Sequence, residues 1–365
     1  MRIGIITFHR AINPGAVLQT YALQTFLLSC NSYTEIIDFL PNSEIDNRSL
    51  KRKILHFCKF CVSPILWCDY LKQKKYAKFR RNYLKLSQDT YKGDNDAKLG
   101  DLPYDVIISG SDQIFNLTLS DYSFSYYLPF QNVIKISYGS SFGRSDITDI
   151  EKWAVLKYLP HFQRRSFRER DGLELVKSLI KSQEDVLVVD PVFLLEEEKW
   201  NRFLNKSFDK NNYIFVYAME NSVWLRKTIT EVKKQFPSLD VFVMYGAKQS
   251  IKKALPFNIK VIRSNDPVTF LNFVHNASVV VTNSFHGLSF SLIFGKKVYC
   301  CAHSTRNSRL KNLLRIIGED KRCIDANCVI IDSISGLNSF QLLKPIIEKS
   351  KKYLIQSISE VNKRD

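Results

Sequence analysis

The stretch VVVTNSFHGLSFSLIFGKKVYC, Val279–Cys300, sets two apolar runs around a polar turn and a histidine–glycine pair. Val279–Val281 reads as a buried strand and Thr282–Ser284 as turn and cap chemistry. Ser284 is well suited to cap a helix beginning at Phe285. The helix through LSFSLIF then leads to a second apolar strand, KVYCCA. Strand, helix and strand in this order make a crossover unit, so the sheet is expected to be parallel and covered on both faces.

Working outward, the same alternation fills the chain. RIGIIT, EIIDFL, YDVIISG, KISYGSS, SFRER and DVLVVD read as strands of a first half, with helices in VLQTYALQTFLLSC, ITDIEKWAVLKYL and GLELVKSLI. The charged stretch DPVFLLEEEKWNRFLNKSFDKNN reads as an interdomain connection. YIFVYAME, DVFVMYG and IKVIRS are strands of a second half, with helices from Val223 to Phe236, in PVTFLNFVHNA and in SRLKNLLRIIG. A long polar helix closes the chain. The expected fold class is α/β, two Rossmann-like domains with parallel sheets facing a central cleft: 1–190, 191–345, and a terminal helix over 346–365. Residues of about 45–90 break the rhythm and read as a basic helical insertion in the first domain. Its KRKILHFCKF and LKQKKYAKFRRNYLKL fit a solvated basic face, an anionic membrane surface or a polyanionic acceptor.

The 365 residues carry 53 Lys plus Arg against 36 Asp plus Glu, a formal charge of +17. That excess calls for an anionic partner. Nucleic acid is not expected, since no zinc-finger or RRM signature is present. MRIGIITFHR holds too short an apolar run for a signal peptide or a span, so a cytoplasmic protein with reduced thiols is expected. His56, Cys58, Cys61 and Cys68 invite a zinc reading, but no second ligand pair follows and buried thiols are the expectation. No metal and no cofactor is expected.

Ligands of such sheets sit outside the carboxyl ends of strands. The turn after VVV places the N–H groups of Phe285, His286 and Gly287 at a helix N-terminus, beside Asn283 and Ser284, as a seat for an anion. His286 adds a charge-assisted hydrogen bond or moves a proton. Other strand ends carry Ser111, Asp112 and Gln113 in ISGSDQIFN and Ser140 in SYGSSFG. Asn13 and Gly15 stand ahead of the first helix. Arg168, at the end of SFRER, offers a planar fork for carboxylate or phosphate, and Arg306 and Arg309 open a later helix. Asp190 in VVDP reads as a structural turn. The dinucleotide fingerprint and the Walker A loop are both absent.

NPGAVLQTYAL, YDVIISGSDQIFN, SYGSSFG, SFRERDG, VVDP, TNSFHGLSFSLIFGK and NSRLKNLL, in this order and spacing, resemble the polysaccharide pyruvyl transferase family over nearly the whole chain. The resemblance implies a GT-B-like pair of Rossmann domains. It also implies transfer of pyruvate from phosphoenolpyruvate to two hydroxyls of a sugar, as a ketal, with release of phosphate. Phosphoenolpyruvate is then a co-substrate. The acceptor is a surface-polysaccharide unit, in many members lipid-diphosphate-linked, with peripheral contact at the inner membrane face. Arg168 and His286 match the family's donor-binding and catalytic Arg and His. Pro14, Phe115 and Gly139 depart from the aromatic, Trp and Ala often found there.

That chemistry needs a general acid, a base for the hydroxyls and cations for the leaving group. On this reading His286 and Arg168 serve the donor with Ser284, Phe285, Gly287, Asn283, Arg306, Arg309 and Ser140. Asp112 is the expected base, and Asn13, Gly15, Ser111 and Gln113 face the acceptor. The alternative is a GT-B glycosyltransferase with a nucleotide-sugar donor. A membrane-surface scaffold would leave the polar strand ends unexplained.

Overall fold

The computed structural model describes residues 1–30, 32–42, 63–120, 122–208, 210–246, 255–303, 307–325 and 332–361. The first half runs β1 (Arg2–Ile6), α1 (Pro14–Ser29), β2 (Tyr33–Leu40), α2 (Pro64–Tyr83), β3 (Leu86–Lys92), β4 (Val106–Asp112) and β5 (Ile134–Ser140). It continues with α3 (Asp149–Tyr158), β6 (Ser166–Phe167), α4 (Arg170–Ile180) and β7 (Val186–Leu187). After the short α5 (Glu197–Asn201) come β8 (Tyr213–Ala218), α6 (Val223–Gln235), β9 (Asp240–Tyr245), β10 (Lys260–Val261), α7 (Pro267–Asn276) and β11 (Val279–Thr282). The chain ends with α8 (Phe285–Ile293), β12 (Lys297–Cys301), α9 (Ser308–Ile316), β13 (Cys323–Ile324), β14 (Ile334–Ser335) and α10 (Gly336–Ser359).

Among the described residues the strands form two seven-stranded sheets. The first has the order β3-β2-β1-β4-β5-β6-β7, parallel throughout; the second runs β10-β9-β8-β11-β12-β13. Each order reverses once, between β1 and β4 and between β8 and β11, which is where such sheets open a crevice. The α/β class and the paired Rossmann-like sheets agree with the sequence reading. One strand departs from it: β14 pairs antiparallel with β12, through Lys297↔Ser335 and Val298↔Ile334.

Three expectations change in the details. Of the basic insertion, 43–62 lie outside the described residues, together with His56, Cys58 and Cys61. Pro64–Tyr83 is helical as read, but Leu86–Lys92 is an edge strand of the first sheet rather than part of an insertion. In LSQDTYK only Tyr91 is buried, so no apolar alternation announces the strand. The stretch after Asp190, read as an interdomain connection, is packed into the core. Val192, Phe193, Leu194, Leu195, Trp200 and Phe203 are buried. Trp200 packs on Tyr21 of α1 at 5.8 Å and edge-on to Phe290 of α8 at 4.9 Å between ring centroids. One hydrophobic core therefore runs from β1 and α1 through this segment into α7, α8 and α10.

The last helix begins at Gly336, earlier than the expected boundary, and continues through Pro345 back to the first sheet. There Tyr353 Oη donates to the Ser137 carbonyl at 3.0 Å, and Ser350 Oγ accepts from the Val189 N–H at 3.0 Å. Cys300, Cys301 and Cys323 are buried thiols and Cys68 is an exposed one. Among the described residues no helix is long and apolar enough to cross a membrane.

Candidate functional site

The carboxyl ends of the two sheets face each other around a cavity of about 80 Å³ lined by Asn13, Asp112, Gln113, Met219, Asn283, Ser284, Phe285, His286, His303 and Arg309. Both halves contribute, so the site exists only when they are docked.

The α8 side is built as the sequence suggests. Ser284 is extended (φ −105°, ψ 134°) and caps the helix, its Oγ accepting from the Gly287 N–H at 3.3 Å. The Phe285 and His286 N–H groups belong to the first turn, where no intrahelical acceptor exists, and the positive end of the helix lies with them. Gly287 has a different part from the one expected. Its N–H is taken by the cap, and a Cβ there would lie 2.3 Å from Thr282 Oγ1, so the glycine serves helix-to-strand packing rather than ligand approach. Asn283 braces the neighbouring turn: Oδ1 accepts from the Met219 N–H at 2.8 Å and Nδ2 donates to the Glu220 carbonyl at 3.1 Å.

From the first half, α1 meets this turn head-on. Asn13 Oδ1 accepts from the N–H groups of Gly15 at 2.9 Å and Ala16 at 3.3 Å, which leaves the Asn13 amide nitrogen as its remaining donor. Gly15 touches the imidazole, since a Cβ at this position would stand 2.1 Å from His286 Nδ1. The glycine is therefore required by His286, across the interface, and is not simply an acceptor contact. Behind it, His9 Nε2 lies 2.9 Å from Asp38 Oδ1 and its Nδ1 lies 3.1 Å from the Thr7 carbonyl. Arg10 donates twice to Asp38, fixing the loop that leads into α1.

Arg168 is buried, and its guanidinium does not line the cavity. Nη1 donates to Asp190, Nε to Glu169 Oε1 at 3.1 Å and Nη2 to Asp112 Oδ1 at 3.3 Å. It also stacks 4.7 Å from the Phe285 ring centroid. From the second half, Asn312 Nδ2 donates to the Arg168 carbonyl at 3.2 Å and holds this strand end in place. The fork expected to grip a ligand thus grips three carboxylates. Arg309 is the arginine at the cavity wall, 3.6 Å from Asp112 Oδ1. Arg306 lies outside the described residues.

Asp112 leaves β4 with a left-handed backbone (φ 73°), which turns its carboxylate toward both arginines. Burial acts to raise its pKa, but Arg168 and Arg309 outweigh that and hold it below the usual range. It is a counter-ion here, weakly basic, rather than the base expected. Asp190 does cap the turn after β7, accepting from the Val192 N–H at 3.1 Å, yet its Oδ2 also accepts from Arg168 Nη1 behind the cavity wall. Burial opposes its ionisation, while Arg168 and His286 favour it and pull its pKa far down. For Glu169 burial prevails over the arginines, and its pKa is raised.

His286 Nε2 is buried without a hydrogen-bond partner, 3.6 Å from Asp190 Oδ2. Two serines expected at the site are turned away from the cavity. Ser140 Oγ donates to the Ser109 carbonyl at 2.9 Å and Ser111 Oγ to the Gly139 carbonyl at 3.1 Å. Gly139 has φ +58°, which accounts for glycine at that position. Met219 and His303 were not anticipated. Both follow strands and stand just before turn-type residues, Asn221 and Ser222 in one case and Ser304 in the other, the same signal that marks the other site residues. No cluster of metal-ligating side chains occurs among the described residues.

The fold is α/β, with two sheets whose carboxyl ends meet at this cavity. The polysaccharide pyruvyl transferase family model matches residues 13–305, and the chain belongs to that family of transferases. A search of curated proteins finds no match. Among solved structures the UDP-N-acetylglucosamine 2-epimerase of Rickettsia bellii aligns with TM-score 0.54 at 10% identity, over 99% of this chain and 97% of that one. The UDP-GlcNAc 2-epimerase of Methanocaldococcus jannaschii aligns with TM-score 0.54 at 11% identity, over 99% of this chain and 100% of that one. These likenesses establish the GT-B-like fold.

Proposed function

We propose that the protein transfers pyruvate from phosphoenolpyruvate to two hydroxyls of a sugar in a surface polysaccharide or its precursor, forming a ketal and releasing phosphate. The observation that carries this reading is the cavity itself, where the α8 N-terminus, His286 and Arg309 converge in about 80 Å³. Free N–H groups and a cation around so confined a space suit a small organic phosphate. The first-turn N–H groups and Arg309 suit the donor's phosphate or carboxylate, and His286 delivers a proton to its methylene carbon. Arg168 acts through the carboxylates it holds. The +17 charge suits a phosphorylated donor, a lipid-diphosphate-linked acceptor and peripheral contact with an acidic membrane.

A thermal-shift titration with phosphoenolpyruvate, UDP and GDP tests the donor, because a ligand selective for the native state raises Tm. Stabilisation by phosphoenolpyruvate, lost in His286→Ala, is expected. Stabilisation by a nucleotide alone would assign the cleft to nucleotide-sugar glycosyl transfer instead.

A further inference from the structure

We propose that His303 is the second acid–base group of the site, the base for the attacking sugar hydroxyl, with Glu220 orienting its imidazole. The inference rests on the pyruvyl-transfer reading above. His303 follows β12 and lines the same cavity as His286. Its Nδ1 lies 3.6 Å from Glu220 Oε2, and its backbone N–H donates to Asn307 Oδ1 at 2.6 Å. The Glu220 carbonyl is tied to Asn283, so the turn carrying this carboxylate is fixed to the turn carrying His286.

Each cavity histidine therefore has a carboxylate at the same separation, Asp190 at 3.6 Å from His286 and Glu220 at 3.6 Å from His303. The two pairs differ in access. The His286 and Asp190 side chains are 7% and 0% exposed, whereas those of His303 and Glu220 are 16% and 15% exposed. A small donor is served by the closed pair, and a bulky acceptor has to reach its base from the open side. Asp112, the other carboxylate of the wall, is held ionised by two arginines and is a poor base. Among the described residues, the charged or titratable groups around the cavity with His303 are Glu220, Arg309, Asp112 and His286.

The two histidines close the proton balance. His286 gives its proton to C3 of phosphoenolpyruvate as the first hydroxyl bonds to C2, and that hydroxyl's proton passes to His303. The second hydroxyl then bonds to C2 and returns its proton to His286 while the C2–O bond to phosphate breaks. His303 releases its proton to the departing phosphate. One hydroxyl proton ends on the new methyl group and the other on phosphate, and no oxidant or reductant is needed.

The test compares wild type, His303→Gln and Glu220→Gln by phosphate release from phosphoenolpyruvate with a panel of p-nitrophenyl glycosides, and by Tm with and without the donor. His303→Gln should lose about 100-fold in rate, the scale of a missing acid–base group, with the donor-induced rise in Tm unchanged. In Glu220→Gln the imidazole loses its carboxylate and its pKa falls. The acidic limb of the pH–rate profile should then move to lower pH, a change that a purely structural role would not produce. A wild-type rate in His303→Gln, or loss of the donor-induced Tm rise in it, would overturn the assignment while leaving the transferase reading intact. No donor stabilisation and no phosphate release in wild type would overturn that reading, and this inference with it.

Discussion

Replacing Gly15 with alanine puts two physical effects in opposition. Gly15 lies in the first turn of α1, where helix propensity alone favours alanine by up to about 1 kcal/mol. Its Cβ, however, would lie 2.1 Å from His286 Nδ1, 2.3 Å from Cγ and 2.8 Å from the histidine Cβ. Ordinary contact begins at 3.4 Å, so the ring has to retreat by about 1.3 Å or the two halves have to separate. Its retreat is limited by Asp190 beside Nε2 and by Phe285, whose ring centroid is 5.1 Å away. Overpacking of this kind destabilises by about 1–3 kcal/mol, and a reacting group misplaced by about 1 Å costs on the order of 100-fold in rate. Thermal unfolding should show a lower Tm for Gly15→Ala, and the rise in Tm on adding phosphoenolpyruvate should shrink. Gly100→Ala is the control, because nothing lies within 4 Å of its added Cβ. A Gly15→Ala protein as stable as wild type, with full donor response, would refute the contact between α1 and His286.

Three further outcomes are expected. Arg168→Lys keeps the charge but cannot bridge Asp190, Glu169 and Asp112, so stability should fall by about 1.5–3 kcal/mol in denaturant titrations together with donor affinity. Asp190 has a lowered folded-state pKa, so its contribution is present above the unfolded carboxyl value near about 4 and is lost as pH falls below it. Asp190→Asn should therefore be less stable at neutral pH and lose less on acidification, as read from ΔG against pH. Trp200→Ala should lower stability by about 3–5 kcal/mol, and the wild type should unfold in one calorimetric transition, because that indole joins the two halves in one core; two separate wild-type transitions would contradict this.

Much of this molecule is legible from local pattern. The apolar runs of Val106–Ile108 and Val279–Val281, each leading to a polar turn, identify strands whose carboxyl ends carry the site. Ser284 caps α8 as its residue type and position suggest. Other features depend on long-range partners. The 3.6 Å approach of His286 to Asp190 joins residues from different halves, and VVDP reads as a turn because Asp190 also caps one. Arg168 resembles a ligand fork in sequence, and only the docked strands reveal its carboxylate partners. His303 follows an apolar strand and precedes Ser304, but only the docked halves bring it to the cavity that holds His286. The segment after Asp190 reads as a charged connection because its run Glu196–Lys199 stands out, whereas the buried Trp200 and Phe203 that decide its place follow no regular spacing.

The measurement that bears most directly on the central claim follows phosphoenolpyruvate labelled with ¹³C at C2 by NMR, in the presence of enzyme and the glycoside panel. The account predicts that the enol carbon is replaced by a quaternary ketal carbon bonded to two sugar oxygens, with phosphate appearing in step, in wild type and not in His286→Ala. A label that stays in the enol in the presence of every glycoside, while a UDP-sugar is consumed by the same protein, would contradict it.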